Sequence, residues 1–282
     1  MSGKFIFGTV GSPISTPKKP GGSVGAIEQI KSLGLGALEL GWVQAVRVTP
    51  ETCKAIHAAA AEKNISISIH APYFINLNAN DEEWPKSRKR LMDAAFYGEM
   101  AGATDIIFHP GSYFNQPPED VLAIAIERLK GCISELRGQN NYVILRPETM
   151  GKSAMLGSLH DTLVMSKAIE GVLPCIDFAH LHARPGDGSM NTEQEWTDAI
   201  NGYAQFLGKN SLRQLHIHLS GIEYSAKGER NHVPLQDSDL NLNTLFKVLY
   251  DHGCSGRILC ESPIMEEDAL YMQRTWEEIN NQ

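Results

Sequence analysis

Short apolar or alternating runs recur along the chain, each followed by a longer stretch whose apolar positions carry helical spacing. Eight runs are legible, at residues 5–10, 37–40, 65–71, 105–110, 142–148, 173–178, 214–219 and 257–261. Runs this short, separated by helix-length segments, predict parallel strands joined through helices. The helices carry their own punctuation. Thr49-Pro50-Glu51 places Pro in a first turn, and Gly34, Gly102, Gly171 and Gly253 close four others. Eight strand–helix pairs most simply close as one (β/α)8 barrel domain over residues 1–282. The alternative, an open doubly wound sheet, lacks the Gly-rich turn that would follow its first strand.

The two-residue period of a strand sorts its side chains. In Ile65-Ser66-Ile67-Ser68-Ile69-His70 the isoleucines face the helices, so Ser66, Ser68 and His70 point into the barrel. The same count puts Ile107 with His109, Ile144 with Glu148, Cys175 with Asp177, His216 with His218 and Leu259 with Glu261 on inward faces. His70, His109, Glu148, Asp177, His218 and Glu261 thus end the third to eighth strands, where barrels of this kind build their active sites. His180, His182, Glu229 and His232 lie just beyond. His216 is expected one layer lower, and His57, His160 and His252 fall in helix segments. Converging carboxylates inside a barrel repel and are costly to desolvate unless cations neutralise them. Imidazole and carboxylate without thiolate fit zinc and also admit manganese or iron.

Composition adds limits. The 282 residues are 42% hydrophobic and 21% charged, enough for a large core and unlike disordered or collagenous chains. Cys53, Cys132, Cys175, Cys254 and Cys260 form no Cys-x-x-Cys pair, which predicts reduced thiols. No window approaches the ~18–20 apolar residues of a membrane span, and the first residues are too short in apolar length for a signal peptide. A cytoplasmic protein without a membrane partner is expected. The formal net charge of -8, taken alone, argues against nucleic acid.

The segments His70-Ala71-Pro72-Tyr73-Phe74-Ile75-Asn76-Leu77, Phe108-His109-Pro110-Gly111-Ser112, Pro147-Glu148-Thr149, Cys175-Ile176-Asp177-Phe178-Ala179-His180 and His218-Leu219-Ser220-Gly221 resemble the endonuclease IV family. The resemblance implies a zinc-dependent abasic-site endonuclease: a (β/α)8 barrel with three Zn2+ ions, double-stranded DNA with abasic sites as partner, and a monomer. It further implies one ion on His70, His109 and Glu148, with Glu148 bridging to a second held by Asp177, His218 and Glu261. His180 and His232 would hold the third. There the sequence departs from the family's Asp-x-His, offering Glu229-Arg230-Asn231-His232, so either Glu229 or His182 completes that site. Glu148 and Glu261 are expected to be catalytic. Tyr73 and Phe74 match residues that wedge into the duplex, and Asn76 and Ser112 are candidates for positioning phosphate or water.

Lys18, Lys19, Arg47, Lys86, Arg88, Lys89, Arg90, Lys152, Arg184, Lys227 and Arg230 fall in or beside strand-to-helix connections, which would make the binding face positive on a negative molecule. A metal-dependent sugar isomerase or epimerase is the alternative function, since related barrels use strand-end Glu, Asp and His around one ion. A non-catalytic metal-containing binding protein is the third.

Overall fold

A computed structural model describes residues 4–281. Eight parallel strands are present: β1 Phe5–Val10, β2 Ala37–Gly41, β3 Ser66–His70, β4 Ala103–Phe108, β5 Ile144–Pro147, β6 Cys175–Asp177, β7 Leu215–Leu219 and, last in the chain, β10 Gly256–Cys260. They pair in the order β5-β4-β3-β2-β1-β10-β7-β6. Single parallel bridges, Leu145 with Val172 and Glu148 with Cys175, span the remaining gap between β5 and β6. The sheet is thereby a nearly closed (β/α)8 barrel, as the periodicity predicts.

Helices α1 Gly22–Ser32, α2 Pro50–Lys63, α3 Trp84–Met100, α4 Pro118–Gly138, α5 Leu159–Ala168, α7 Glu193–Leu207, α8 Leu242–Asp251 and α9 Glu266–Asn280 surround it. Their ends follow local chemistry. Thr49 accepts the Thr52 amide at 3.3 Å ahead of Pro50, and Ser158/Asp161 and Thr192/Glu195 form capping boxes. Gly34, Gly102, Gly171 and Gly253 take the left-handed conformations that stop helices. Outward strand residues such as Ile67, Ile69, Ile106 and Leu145 are buried against the helices with Ile27, Leu91, Leu129 and Trp196. This annular core leaves the barrel interior to the polar inward positions.

Two connections differ from expectation. The sixth strand spans only Cys175–Asp177, because Asp177 caps a short helix, α6 Phe178–Ala183, by accepting the His180 amide at 2.7 Å. The segment after β7, which carries Glu229 and His232, is an antiparallel hairpin of β8 Gly221–Ser225 and β9 Gly228–Val233. It is tied to the connection that follows β5 by the Glu229 amide, which donates to Gly151 O at 2.9 Å. Among the described residues no helix is long and apolar enough to cross a membrane.

Candidate metal centre

Glu148 lies at the centre of the upper barrel and is fully buried. Its two carboxylate oxygens face different partners. Oε2 lies 3.2 Å from His70 Nε2 and 3.4 Å from His109 Nε2. Oε1 lies 3.4 Å from His218 Nδ1, which is itself 3.3 Å from Glu261 Oε1. Strand ends supply all of these side chains: β3 gives His70, β7 gives His218, and His109, Glu148 and Glu261 each follow the last residue of a strand.

A second group lies beside it. His180 on α6 donates through Nδ1 to Thr149 O at 2.9 Å, which leaves Nε2 facing His232 Nε2 at 3.1 Å. Glu229 Oε2 is 3.6 Å from the same His180 nitrogen. Gly151 makes this approach possible, because a Cβ there would stand 2.7 Å from Glu229 Oε2 and 3.1 Å from His180 Cδ2. Asp177 sits between the groups: Oδ1 caps α6, and Oδ2 is buried with no hydrogen-bond partner, 3.4 Å from His180 Nδ1. Asp177, His180 and His232 offer donor atoms within 4.8 Å of one another, as do His70, Glu148, His218 and Glu261. Asp177 therefore falls nearer the third site than the resemblance implied. His182 lies elsewhere, with Nδ1 on Ser189 O at 2.8 Å and Nε2 on Asp239 Oδ1 at 3.0 Å.

The donor set fits divalent cations. Two ligands about 2.1 Å from one tetrahedral ion stand about 3.4 Å apart, and the spacings around Glu148 run from 3.2 to 3.4 Å. The electrostatics agree. Burial raises Glu148, but His218 and the other imidazoles outweigh it and hold the carboxyl well below the usual range. Asp177 goes the other way, pushed up to about 7 by burial and only partly countered by His180. His180 and His218 are held well above the usual histidine range because the surrounding acidic groups outweigh burial. The cluster is short of positive charge, which protons on imidazole or metal ions can supply.

The rim departs from its sequence reading in several places. Tyr73 stacks on the His109 ring at 5.0 Å, whereas Phe74 is 58% exposed with the Arg90 guanidinium 5.9 Å away. Asn76 Oδ1 accepts the Asn78 amide at 2.9 Å, and Ser112 Oγ donates to Ala154 O at 3.1 Å, so both brace loops. Gly111, at φ +120°, leaves the space for Asn76, whose Oδ1 would stand 2.0 Å from a Cβ. Much of the expected positive face is engaged. Lys86 pairs with Glu83, Arg88 with Glu135, Lys89 with Asp93 and Arg230 with Glu223. Arg184 donates to Met150 O and Lys152 O at 2.9 and 2.6 Å.

One layer lower, Glu39 on β2 is a buried carboxylate that the sequence reading missed. It contacts Ser68 Oγ at 2.8 Å, His216 Nε2 at 2.9 Å and His218 Nε2 at 3.0 Å. Leu38 and Leu40 flank it, so the period-two count already turns Glu39 inward. Despite burial, those histidines hold it well below the usual carboxylate range, while burial takes His216 down to about 4. An ionised Glu39 beside a neutral His216 is consistent with both directions.

A family model described as the xylose isomerase-like TIM barrel matches residues 27–279. An uncharacterized protein of Methanocaldococcus jannaschii is 36% identical over 276 residues, 98% of each chain. A probable endonuclease 4 of Staphylococcus carnosus is 29% identical over 225 residues, 75% of this chain and 72% of the relative. Two solved structures share the fold. Endonuclease IV from Thermus thermophilus has a TM-score of 0.72 at 20% identity, covering 98% of this chain and 99% of that one. A D-tagatose 3-epimerase-like protein reaches 0.74 at 16%, covering 98% and 97%.

Proposed function

The chain belongs to the xylose isomerase-like TIM-barrel family, and within it we propose a cytoplasmic, monomeric endonuclease that hydrolyses the DNA phosphodiester 5′ to an abasic site. The products would be a 3′-hydroxyl and a 5′-deoxyribose phosphate. Three zinc ions are the proposed cofactors: one on His70, His109 and Glu148, a second on Glu148, His218 and Glu261, and a third on His180, His232 and Glu229. Asp177, with a buried free oxygen between the groups, serves the second or the third. The observation that carries this reading is the divided environment of Glu148, one oxygen toward His70 and His109 and the other toward His218 and His180.

Bound there, divalent cations supply a water of lowered pKa and neutralise charge on the attacked phosphate and the departing oxygen. The protein's own part is to hold the donors still. Glu148 is fixed among four imidazoles, and Glu261 faces both His218 and His232 at the mouth of the barrel. Either carboxylate can orient the attacking water. Phe74, exposed on the rim, is the better wedge for the duplex, since Tyr73 is engaged with His109.

A sugar isomerase or epimerase is the second reading. It is favoured by the group His70, Glu148, His218 and Glu261, which suffices to hold a single ion. Elemental analysis of the purified protein, paired with cleavage of a duplex carrying one abasic site with and without EDTA, decides between them. About three zinc equivalents and EDTA-sensitive incision support the endonuclease. A single exchangeable magnesium or manganese with no incision supports the isomerase.

A further inference from the structure

The two nitrogens of His218 face environments of different spacing. Around Nδ1, Glu148 Oε1 and Glu261 Oε1 stand at 3.4 and 3.3 Å, the separation of two ligands on one ion. Around Nε2, Glu39 Oε1 stands at 3.0 Å, within hydrogen-bonding reach but not aligned as a hydrogen bond, and both buried atoms are without a hydrogen-bond partner among the described residues. The second oxygen of Glu39 is already taken by the Ser68 hydroxyl and the His216 ring at 2.8 and 2.9 Å. A carboxylate buried this deeply, gripped on one oxygen by two donors, has its free oxygen aimed at one ring nitrogen. A neutral imidazole carries a single N–H, so the nitrogen that meets Glu39 decides the state of the other.

We propose that Glu39 is a positioning residue for the metal centre: it accepts the Nε2 proton of His218, fixes that tautomer, and so presents an unprotonated Nδ1 to the ion between Glu148 and Glu261. The inference rests on the metal reading of the same site. It assigns Glu39 to support from below, and it makes the polar layer of Glu39, Ser68 and His216 part of the site. Cys175 also approaches His216 and His218, with donor atoms within 4.8 Å. The rival is therefore an ion in the lower layer with Glu39 as its ligand. The Ser68 and His216 separations of 2.8 and 2.9 Å at Glu39 match hydrogen bonds instead.

The test uses the full chain, zinc competition against a chelator, and nitrogen-15 spectra of histidine-labelled, metal-free protein at a pH above the raised range of His218, where its ring is neutral. Wild type is expected to show His218 as the Nε2–H tautomer. Glu39→Gln, folded by circular dichroism, should lose that preference, because its amide can donate where the carboxylate accepted. One zinc equivalent should then bind about 10–100-fold more weakly while the others are retained. Glu39→Asp keeps the charge but withdraws it by one methylene. It should fall between the two, and it carries the test if the Gln variant does not fold. Wild-type affinity for every equivalent with an unaltered His218 tautomer, in whichever variant folds, overturns the proposal. A sulfur-to-cobalt charge-transfer band in the cobalt-loaded protein, lost in Cys175→Ser, also overturns it by putting an ion in the lower layer. Wild-type protein that binds no zinc overturns the metal reading, and this inference with it.

Discussion

The barrel interior holds a buried ionic cluster at each end, on the same strands. At the N-terminal end Asp105 takes Arg146 Nε at 2.5 Å and Arg257 Nη2 at 3.1 Å. Arg146 spends its remaining donors on Pro174 O and Gln214 O at 2.8 and 3.2 Å. At the C-terminal end the only side-chain cations that Glu148, Asp177, Glu229 and Glu261 meet among the described residues are imidazoles. Two buried aspartates register the contrast. Burial raises both, yet Arg146 and Arg257 take Asp105 well below the usual range, whereas Asp177 is left at about 7. One end is neutralised by permanent cations of the chain and reads as scaffold. The other lacks permanent cations and gathers ligand atoms at metal spacing, which is how a binding site differs from a structural ion cluster.

Removing the central carboxylate of the upper cluster should have the largest effect. Glu148→Gln is expected to cut abasic-site incision by about a hundredfold or more while the protein still folds, read by single-turnover cleavage and circular dichroism. Unchanged cleavage with metal content intact would end the proposed role of Glu148. The lower cluster should answer in stability instead. Arg146→Met strands Asp105 beside one remaining guanidinium and should cost about 3–5 kcal/mol in denaturant unfolding, with zinc content of the folded fraction preserved. A loss of zinc without a loss of stability would reverse the assignment of the two ends.

Smaller effects sharpen the contrast at the rim. Phe74→Ala should weaken abasic-duplex binding by about 1–3 kcal/mol, with less effect on intact duplex, whereas Tyr73→Ala should also loosen metal retention through His109. Equal losses on both duplexes would make Phe74 a packing residue. The smallest effect concerns pH. An acid whose folded pKa is raised stabilises the fold below its unfolded value and loses that contribution as pH rises through the folded one. For Asp177 the window runs from 3.8 to about 7. The metal-free protein should therefore melt at progressively lower temperature as pH climbs through that window, and Asp177→Asn should flatten the trend. A melting temperature that rises over the same range in wild type would contradict it.

The strands and most of the upper cluster are legible in the sequence because a barrel strand encodes its inward face in alternate residues. That count takes in His70, His109, Glu148, Asp177, His218 and Glu261. The same parity holds Asp105 with His109, Arg146 with Glu148 and Arg257 with Glu261, so the lower cluster was written on the same faces. Nothing in the pattern separates these structural charges from ligands, because parity alone marks both ends of a strand alike. Glu39 escaped for a related reason, lying mid-strand between leucines with no polar neighbour to mark it. The Glu229 and His232 hairpin could not be read from pattern. Glu-Tyr-Ser-Ala-Lys-Gly-Glu-Arg-Asn-His, residues 223–232, has no apolar alternation, and the pairing is fixed by docking against the connection that follows β5.

Ions around Glu148 complete the upper cluster in the proposed site. Anomalous diffraction at the zinc absorption edge, from crystals of the zinc-loaded protein, tests this most directly. One peak is expected on each side of the Glu148 carboxylate, toward His70 and His109 and toward His218 and Glu261, with a third between His180 and His232. A single peak, or none within bonding distance of Glu148, would contradict it.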